Sequence, residues 1–298
     1  MERVEKLNRE FGIDGVLSFI KQGELIILEG KNKFANFALS LHGAHVTSYQ
    51  PTGSSENILW LSKESNFKKD KPIRGGIPIC WPWFGPHPED STKPSHGFAR
   101  LADWTLTETA LLENGTVTVT LELTSDCETR KLWPYEFKLQ NKITIGNTLK
   151  VELITKNRDS KPFTITSALH SYFNICDIRN ISIHGLDNTQ YIDSMDNDKI
   201  KTQEGAVTFN SEVDRVYIDT TERSIISDQG YSREISIAKQ GSRSTVVWNP
   251  WIEKSRRMSD FGNDEYQTMV CVETTNALSD NITINPDKEH SLICEIYI

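Results

Sequence analysis

Nowhere do the 298 residues contain a run of about 18 apolar side chains, so no segment reads as a membrane-spanning helix. The opening MERVEKLNREFGI is charged throughout and has no apolar h-region, so a secretory signal is not expected. Basic residues are in deficit, 33 Lys and Arg against 41 Asp and Glu, for a net charge of −8. That balance argues against nucleic acid and anionic membranes as general partners, and any anion bound must meet a local basic cluster. Cysteine is scarce: Cys80, Cys127, Cys176, Cys271 and Cys294 are scattered, and no C-x-x-C pair suggests zinc or thioredoxin-like chemistry. Several sit in apolar runs (VCVE, LICEIYI), where buried free thiols are the expectation, together with a reducing cytoplasmic compartment. Long helical periodicity is missing, which removes βαβ folds, and no linker, composition break or fixed repeat marks tandem domains or a propeller.

What is present is period two. After a short amphipathic start, with Val4, Leu7 and Phe11 on one face and a helical segment expected over about residues 1–20, apolar and polar residues alternate through most of the chain. The stretches ELIILEG, NFALSLHGAHVTSYQ, NILWL, WTLTETALL, TVTVTLELT, EFKLQNKITIG, TLKVELITKN, PFTITSALHSYF, ISIHG, REISIAK, STVVWN, TMVCVETT and HSLICEIYI read as strands. ENGT and IGNT read as hairpin turns between neighbours. The pattern predicts an all-β chain, one large antiparallel sandwich or barrel over residues 1–298 with few short helices. Residues 62–100, 186–230 and 250–266 look least strand-like, and in a sandwich such loops usually carry function.

Ionisable residues interrupt apolar or glycine-rich contexts at four places. In PIRGGIPICWPWFGPHP, residues 72–88, prolines and tryptophans stiffen a loop around one cation, Arg74. An isolated arginine of this kind commonly just pairs with a carboxylate. In SHGFAR, a turn at Gly97 lets His96 and Arg100 face one cavity, a pairing suited to phosphate or sugar oxygens and equally to structure. In SALHSYFNI, His170 ends a strand, and Tyr172 and Phe173 beside it offer flat surfaces on which a sugar ring stacks. In MVCVETTN, alternation turns Glu273 to the face shared with Cys271, away from Val270 and Val272. A carboxyl there is either paired or functional.

In the order PIRGGIPICWPWFG, HGFAR, SALHSYF, EVDRVY, VVWNPW, MVCVE, spread over residues 72–273, the chain resembles the hexose-6-phosphate mutarotases, the glucose-6-phosphate 1-epimerases of the aldose 1-epimerase superfamily. The resemblance covers nearly the whole chain and implies an antiparallel β supersandwich of the galactose mutarotase type, with no metal or organic cofactor. It implies His170 as general acid and Glu273 as general base, with Arg74, Ser95, His96, Arg100 and Asp214 binding substrate. The family often has Gln immediately before HGFAR; here stands Ser95, whose shorter side chain is expected to reach a ligand only through water. Asp214 either accepts hydrogen bonds from sugar hydroxyls or pairs with Arg215.

Ring opening between α and β hexose takes a proton off the C1 hydroxyl and puts one on the ring oxygen, so an acid and a base suffice. The pair is expected to rest as imidazolium and carboxylate, each holding the other charged. Arg74 and Arg100 together suggest a phosphate clamp in a chain that otherwise repels anions. Three rivals remain: an aldose 1-epimerase acting on unphosphorylated hexose, a non-catalytic carbohydrate-binding sandwich, and a glycosidase using Glu273 and Asp214. The binding module has no need of an acid and base pair, and the glycosidase leaves His170 and the arginines without a purpose.

Overall fold

The computed structural model describes residues 2–298. Period two is realised there almost entirely as antiparallel strands, with three short α-helices, Glu2–Phe11, Cys127–Leu132 and Trp251–Ser255. Strands Phe137–Ile145 and Leu149–Asn157 show how the pattern works. Their alternate residues are buried, and they pair in register from Phe137 and Asn157 to Ile145 and Leu149 across the IGNT turn.

One eight-stranded sheet runs Ile181–His184, Ser224–Asp228, Arg233–Gln240, Glu289–Tyr297, Leu149–Asn157, Phe137–Ile145, Val117–Thr124, Thr105–Leu111. The other runs Lys199–Thr202, Gln190–Asp193, Val213–Ile218, Ser244–Asn249, Met269–Asn276, Ser167–Leu169, Ile79–Cys80, with Tyr172–Asn174 also pairing to Met269–Asn276. A four-stranded sheet over Leu17–Gln22, Leu25–Lys31, Ala35–Ser40 and His45–Pro51 flanks them, and Phe163–Ile165 pairs with Ile282–Ile284. Side chains of both large sheets and of the four-stranded one, among them Leu39, Leu153, Val247, Val272 and Leu292, join a single apolar cluster. The fold is the all-β supersandwich that the alternation and the motifs foretold.

Several details depart from the sequence reading. The first helix ends at Phe11, and Leu17–Gln22 is already a strand, because Leu17 and Phe19 turn inward while Ser18 and Ile20 face solvent. NILWL makes only isolated bridges, Leu59 to Phe173 and Leu61 to Gly75. The segment 186–230 holds Gln190–Asp193, Lys199–Thr202, Val213–Ile218 and Ser224–Asp228. Lys199–Thr202, at the sheet margin, stays solvated at most positions, so polar residues suit both faces; Ser224–Asp228 does bury alternate residues, but two of the three, Ser224 and Asp228, are polar.

Strands Ser244–Asn249 and Met269–Asn276 are buried on both faces. Val247, Val270 and Val272 enter the main core, whereas Val246, Trp248, Met269 and Cys271 enter a second, smaller cluster with Trp60, Tyr172 and Phe261. Glu273 lies in the row of the second set. A carboxyl is thereby carried through the middle of the sheet to its far face.

Candidate active site

Register brings the floor of the site together. Across the sheet Asp214 pairs with Trp248, Trp248 with Cys271, and Cys271 with Tyr172, while the next row pairs Val246 with Glu273. Side chains opposite one another on adjacent strands share a face, so these rows form one floor. The floor underlies a cavity of about 260 Å³ lined by Arg74, Phe84, His96, His170, Tyr172, Asp214, Val246, Trp248, Lys254, Met258 and Glu273. Five residues singled out in the sequence, Arg74, His96, His170, Asp214 and Glu273, therefore meet around one space.

The proline-rich loop reaches it because its backbone is stitched to strands on both sides. Gly76 N–H donates to the Trp60 carbonyl, Ile77 N–H to Val46, His170 N–H to Pro78 and Tyr172 N–H to Gly76. Trp81 is fully buried, its indole N–H donating to Thr155 Oγ1 and its rings meeting Phe98, Trp133 and Phe137. Gly97 is required here. Its φ is +72°, and a Cβ would lie 1.9 Å from the Trp81 carbonyl oxygen.

His170 and Glu273 are 8% and 2% exposed, and Nδ1 of the imidazole lies 3.3 Å from Oε1 of the carboxyl. The contact lacks hydrogen-bond geometry, since Nδ1 has no hydrogen-bond partner, and Glu273 Oε2 is likewise unpartnered. Buried polar atoms are nearly always satisfied, so two orphans on residues that line one cavity stand out. Tyr172 fixes the imidazole plane, stacked at 4.7 Å between centroids and 6° from parallel.

The expected resting charges are corrected by this burial. Desolvation, helped by His96, Arg100 and Arg74, pulls the His170 pKa well below 6.5. Desolvation, helped by Asp214 and opposed by Arg100, drives Glu273 well above 4.5. Both shifts favour the neutral forms, imidazole and carboxyl, because taking two charges out of water costs more than their attraction returns. His96 is also neutral, pulled to about 3 chiefly by burial. Its Nδ1 accepts from Gly85 N–H, which leaves the ring proton on Nε2.

Arg74 is already engaged: Nε and Nη2 both donate to Asp260 Oδ2, at 3.2 and 3.0 Å, and Nη1 donates to Tyr172 Oη at 3.0 Å. Burial raises the Tyr172 phenol above its ordinary pKa, so its hydroxyl keeps a proton to give. Asp214 pairs with Lys254 Nζ at 3.4 Å, and Lys254 also meets Glu212 at 3.0 Å. The alternative partner Arg215 lies instead over the Tyr191 ring and donates to Gln203. Burial raises the Asp214 pKa despite Lys254.

Arg100 and Ser95 do not line the cavity. Arg100 Nη2 donates to the Ser95 carbonyl at 2.9 Å, its buried Nε is unpartnered, and among the described residues no carboxylate pairs with it. Ser95 is exposed and contributes its carbonyl rather than its hydroxyl. Lys254, Trp248, Phe84, Met258 and the Arg74 partner Asp260 were not foreseen as individual site residues. VVWNPW marked the neighbourhood of Trp248 and Lys254; Asp260 gave no signal, since only tertiary contact joins it to Arg74.

A family model described as aldose 1-epimerase matches residues 25–297. A protein of Escherichia coli K12 provisionally named glucose-6-phosphate 1-epimerase is 39% identical over 89% of this chain and 88% of its own length. A namesake from Salmonella typhimurium is 41% identical over 85% of this chain and 83% of its own. The crystal structure of a provisionally assigned mutarotase from Salmonella typhimurium superposes with a TM-score of 0.90 at 35% identity, covering 99% of this chain and 98% of the other. A galactose mutarotase-like protein from Clostridium acetobutylicum shares the fold, with a TM-score of 0.74 at 15% identity, over 94% and 97% of the two chains.

Proposed function

This chain belongs to the aldose 1-epimerase family, and from that premise we propose that it interconverts the α and β anomers of a hexose 6-phosphate, glucose 6-phosphate first among them. The observation that carries the reading is the His170 and Glu273 pair, 3.3 Å apart, with one unpartnered buried atom on each, among the residues lining one cavity.

The chemistry follows from one proton shared by two groups. Moving the carboxyl proton of Glu273 to His170 turns the resting neutral pair into imidazolium and carboxylate, with no proton taken from solvent. Glu273 then takes the proton of the C1 hydroxyl while His170 protonates the ring oxygen. The bond from C1 to the ring oxygen breaks, C1 becomes an aldehyde carbon, and the pair again holds a single proton, now on Glu273. Rotation about C1–C2 exposes the other carbonyl face, and the same two transfers in reverse close the ring. His96, through Nε2–H, and Asp214 orient hydroxyls, and Phe84 and Trp248 give the ring apolar walls.

For the phosphate, Arg100 is the better reader. Its guanidinium carries no carboxylate, whereas Arg74 is neutralised by Asp260 and positions Tyr172. Binding there exchanges the Arg100 bond to the Ser95 carbonyl for charge-assisted bonds to phosphate oxygens. A second reading, action on unphosphorylated hexose, has one observation in its favour: the cations lining the cavity, Arg74 and Lys254, are already matched by Asp260, Glu212 and Asp214. The ligand in either case is a small sugar, and no nucleic acid, membrane or obligate protein partner enters the scheme. Cys80, Cys127, Cys176, Cys271 and Cys294 are free thiols, which suits a reducing cytoplasm.

Anomerisation of freshly dissolved α-glucose 6-phosphate, followed by polarimetry or NMR, tests the proposal. Wild-type protein should exceed the spontaneous rate, and His170→Ala or Glu273→Gln should lose about 10² to 10⁴-fold in kcat/KM. Equality between wild type and the uncatalysed rate ends it, and a preference for glucose over its phosphate selects the second reading.

A further inference from the structure

Below the acid and base pair lies a third residue that the anomerisation scheme does not use. Cys271 is two positions from Glu273 on the same strand and points to the same face. His170 Nδ1 or Nε2, Cys271 Sγ and a Glu273 carboxylate oxygen all fall within 4.8 Å of one another, and all three residues are buried. His170 Nδ1 and Glu273 Oε2 are without hydrogen-bond partners, so both atoms are uncommitted.

From this juxtaposition we propose that His170, Cys271 and Glu273 form a site for a thiophilic divalent cation of the zinc class, at which metal and sugar exclude each other. The donor set is one imidazole nitrogen, one sulfur and one carboxylate oxygen. That mixture suits zinc or cobalt and does not suit magnesium or calcium, which take oxygen ligands. Bonds of about 2.0 to 2.3 Å around one ion require the donors to close by roughly an ångström, a movement of side-chain torsions rather than of backbone. The fourth position opens into the cavity, where water completes the coordination. Binding sends two protons to bulk water, the thiol proton of Cys271 and the carboxyl proton of Glu273, as thiolate and carboxylate form. It also occupies the lone pairs through which His170 and Glu273 exchange protons with a sugar, so the cation acts as a reversible inhibitor. That consequence rests on the anomerase reading; the binding itself does not.

The experiment separates the two. Cys127 and Cys176 are exposed and would take metal on their own account, so both are changed to Ser first. Chelator-treated Cys127→Ser/Cys176→Ser protein titrated with Co²⁺ should develop a thiolate-to-cobalt charge-transfer band in the near ultraviolet at one ion per chain. Adding Cys271→Ser should abolish the band, and adding His170→Ala should weaken binding by more than about tenfold. Zn²⁺ should slow anomerisation and a chelator should restore it, while the Cys271→Ser protein turns over at the parent rate with sensitivity to Zn²⁺ reduced more than about tenfold. Should Cys271→Ser melt before the parent, the His170→Ala titration decides the question from a cavity-lining position. No band in the parent, a band surviving Cys271→Ser, or equal inhibition of parent and Cys271→Ser protein overturns the site. A cobalt band in a protein without anomerase activity keeps the site and removes the proposed function.

Discussion

His170 and Glu273 are set apart by what surrounds them more than by what they are. Burial depresses the one and raises the other, so the pair keeps a single proton over a wide pH range. The sign determines the profile. A second proton can be added only through His170, at pH well below 6.5, and the single proton is lost only through Glu273, at pH well above 4.5. kcat/KM should therefore stay level between those limits and fall on both sides. Difference infrared spectra of wild type against Glu273→Gln should show the carbonyl stretch of a protonated carboxyl at neutral pH, and a carboxylate band in its place would contradict the neutral resting pair. The two arginines also part at this scale. Arg100→Ala should raise KM for glucose 6-phosphate about tenfold or more and leave glucose unaffected, since one charge-assisted contact accounts for roughly 1.5 to 3 kcal/mol. Arg74→Ala should lower activity on both sugars, because Tyr172 and the His170 ring stacked on it lose their anchor. Measuring both substrates with both variants checks the assignment.

Among the elements, the loop from Pro72 to Arg100 has little regular structure yet is held tightly, through backbone bonds into strands and through Trp81 in the core. Gly97 is where it closes on itself, bridging in parallel fashion to Trp81. Gly97→Ala puts a Cβ against the Trp81 carbonyl at a left-handed φ of +72°. The dihedral alone costs about 1 to 2 kcal/mol. Since the clashing atom is backbone, the loop must shift and His96 with it. Thermal melting should drop by at least a few degrees. KM should rise in the same variant, whereas Gly53→Ala, which has open space around it, should leave KM unchanged.

For the molecule as a whole, one apolar cluster joins residues from Leu17 to Ile296, and a single cooperative unfolding transition is expected by calorimetry. Its midpoint should fall as pH drops from 7 to 5. His45, buried and bonded to the Gly75 carbonyl, is pulled to about 3 mainly by desolvation, and His96 and His290 are lowered for the same reason. Folding favours the neutral form of each, whereas the unfolded imidazole takes a proton at about 6.5, so the stabilisation is complete above that pH and is lost as pH falls. For His45 alone the loss by pH 5 is about 2 kcal/mol. Asp214, raised by burial, works in the opposite sense, its contribution fading as pH rises, and His170 and Glu273 largely cancel one another. A midpoint that rises towards pH 5 would show that the buried imidazoles do not control acid stability.

The sequence by itself determined the strands whose two faces differ and the hairpin turns at ENGT and IGNT, because alternation and turn chemistry are local; Arg74, His96, His170, Asp214 and Glu273 were candidates through the motifs and the resemblance they carry. It also placed Glu273 and Cys271 on one face, since that follows from strand period alone. Only the tertiary structure decided what those residues face. Lys199–Thr202 is largely wet, and in Ser224–Asp228 the buried row includes Ser224 and Asp228, so neither shows an alternation of apolar and polar residues to read. Asp260 meets Arg74 across 186 positions of sequence, and Lys254 rather than Arg215 takes Asp214. The protonation of the His170 and Glu273 pair is likewise a property of burial. Desolvation is set by everything packed around a group, and no residue carries that information in its own name.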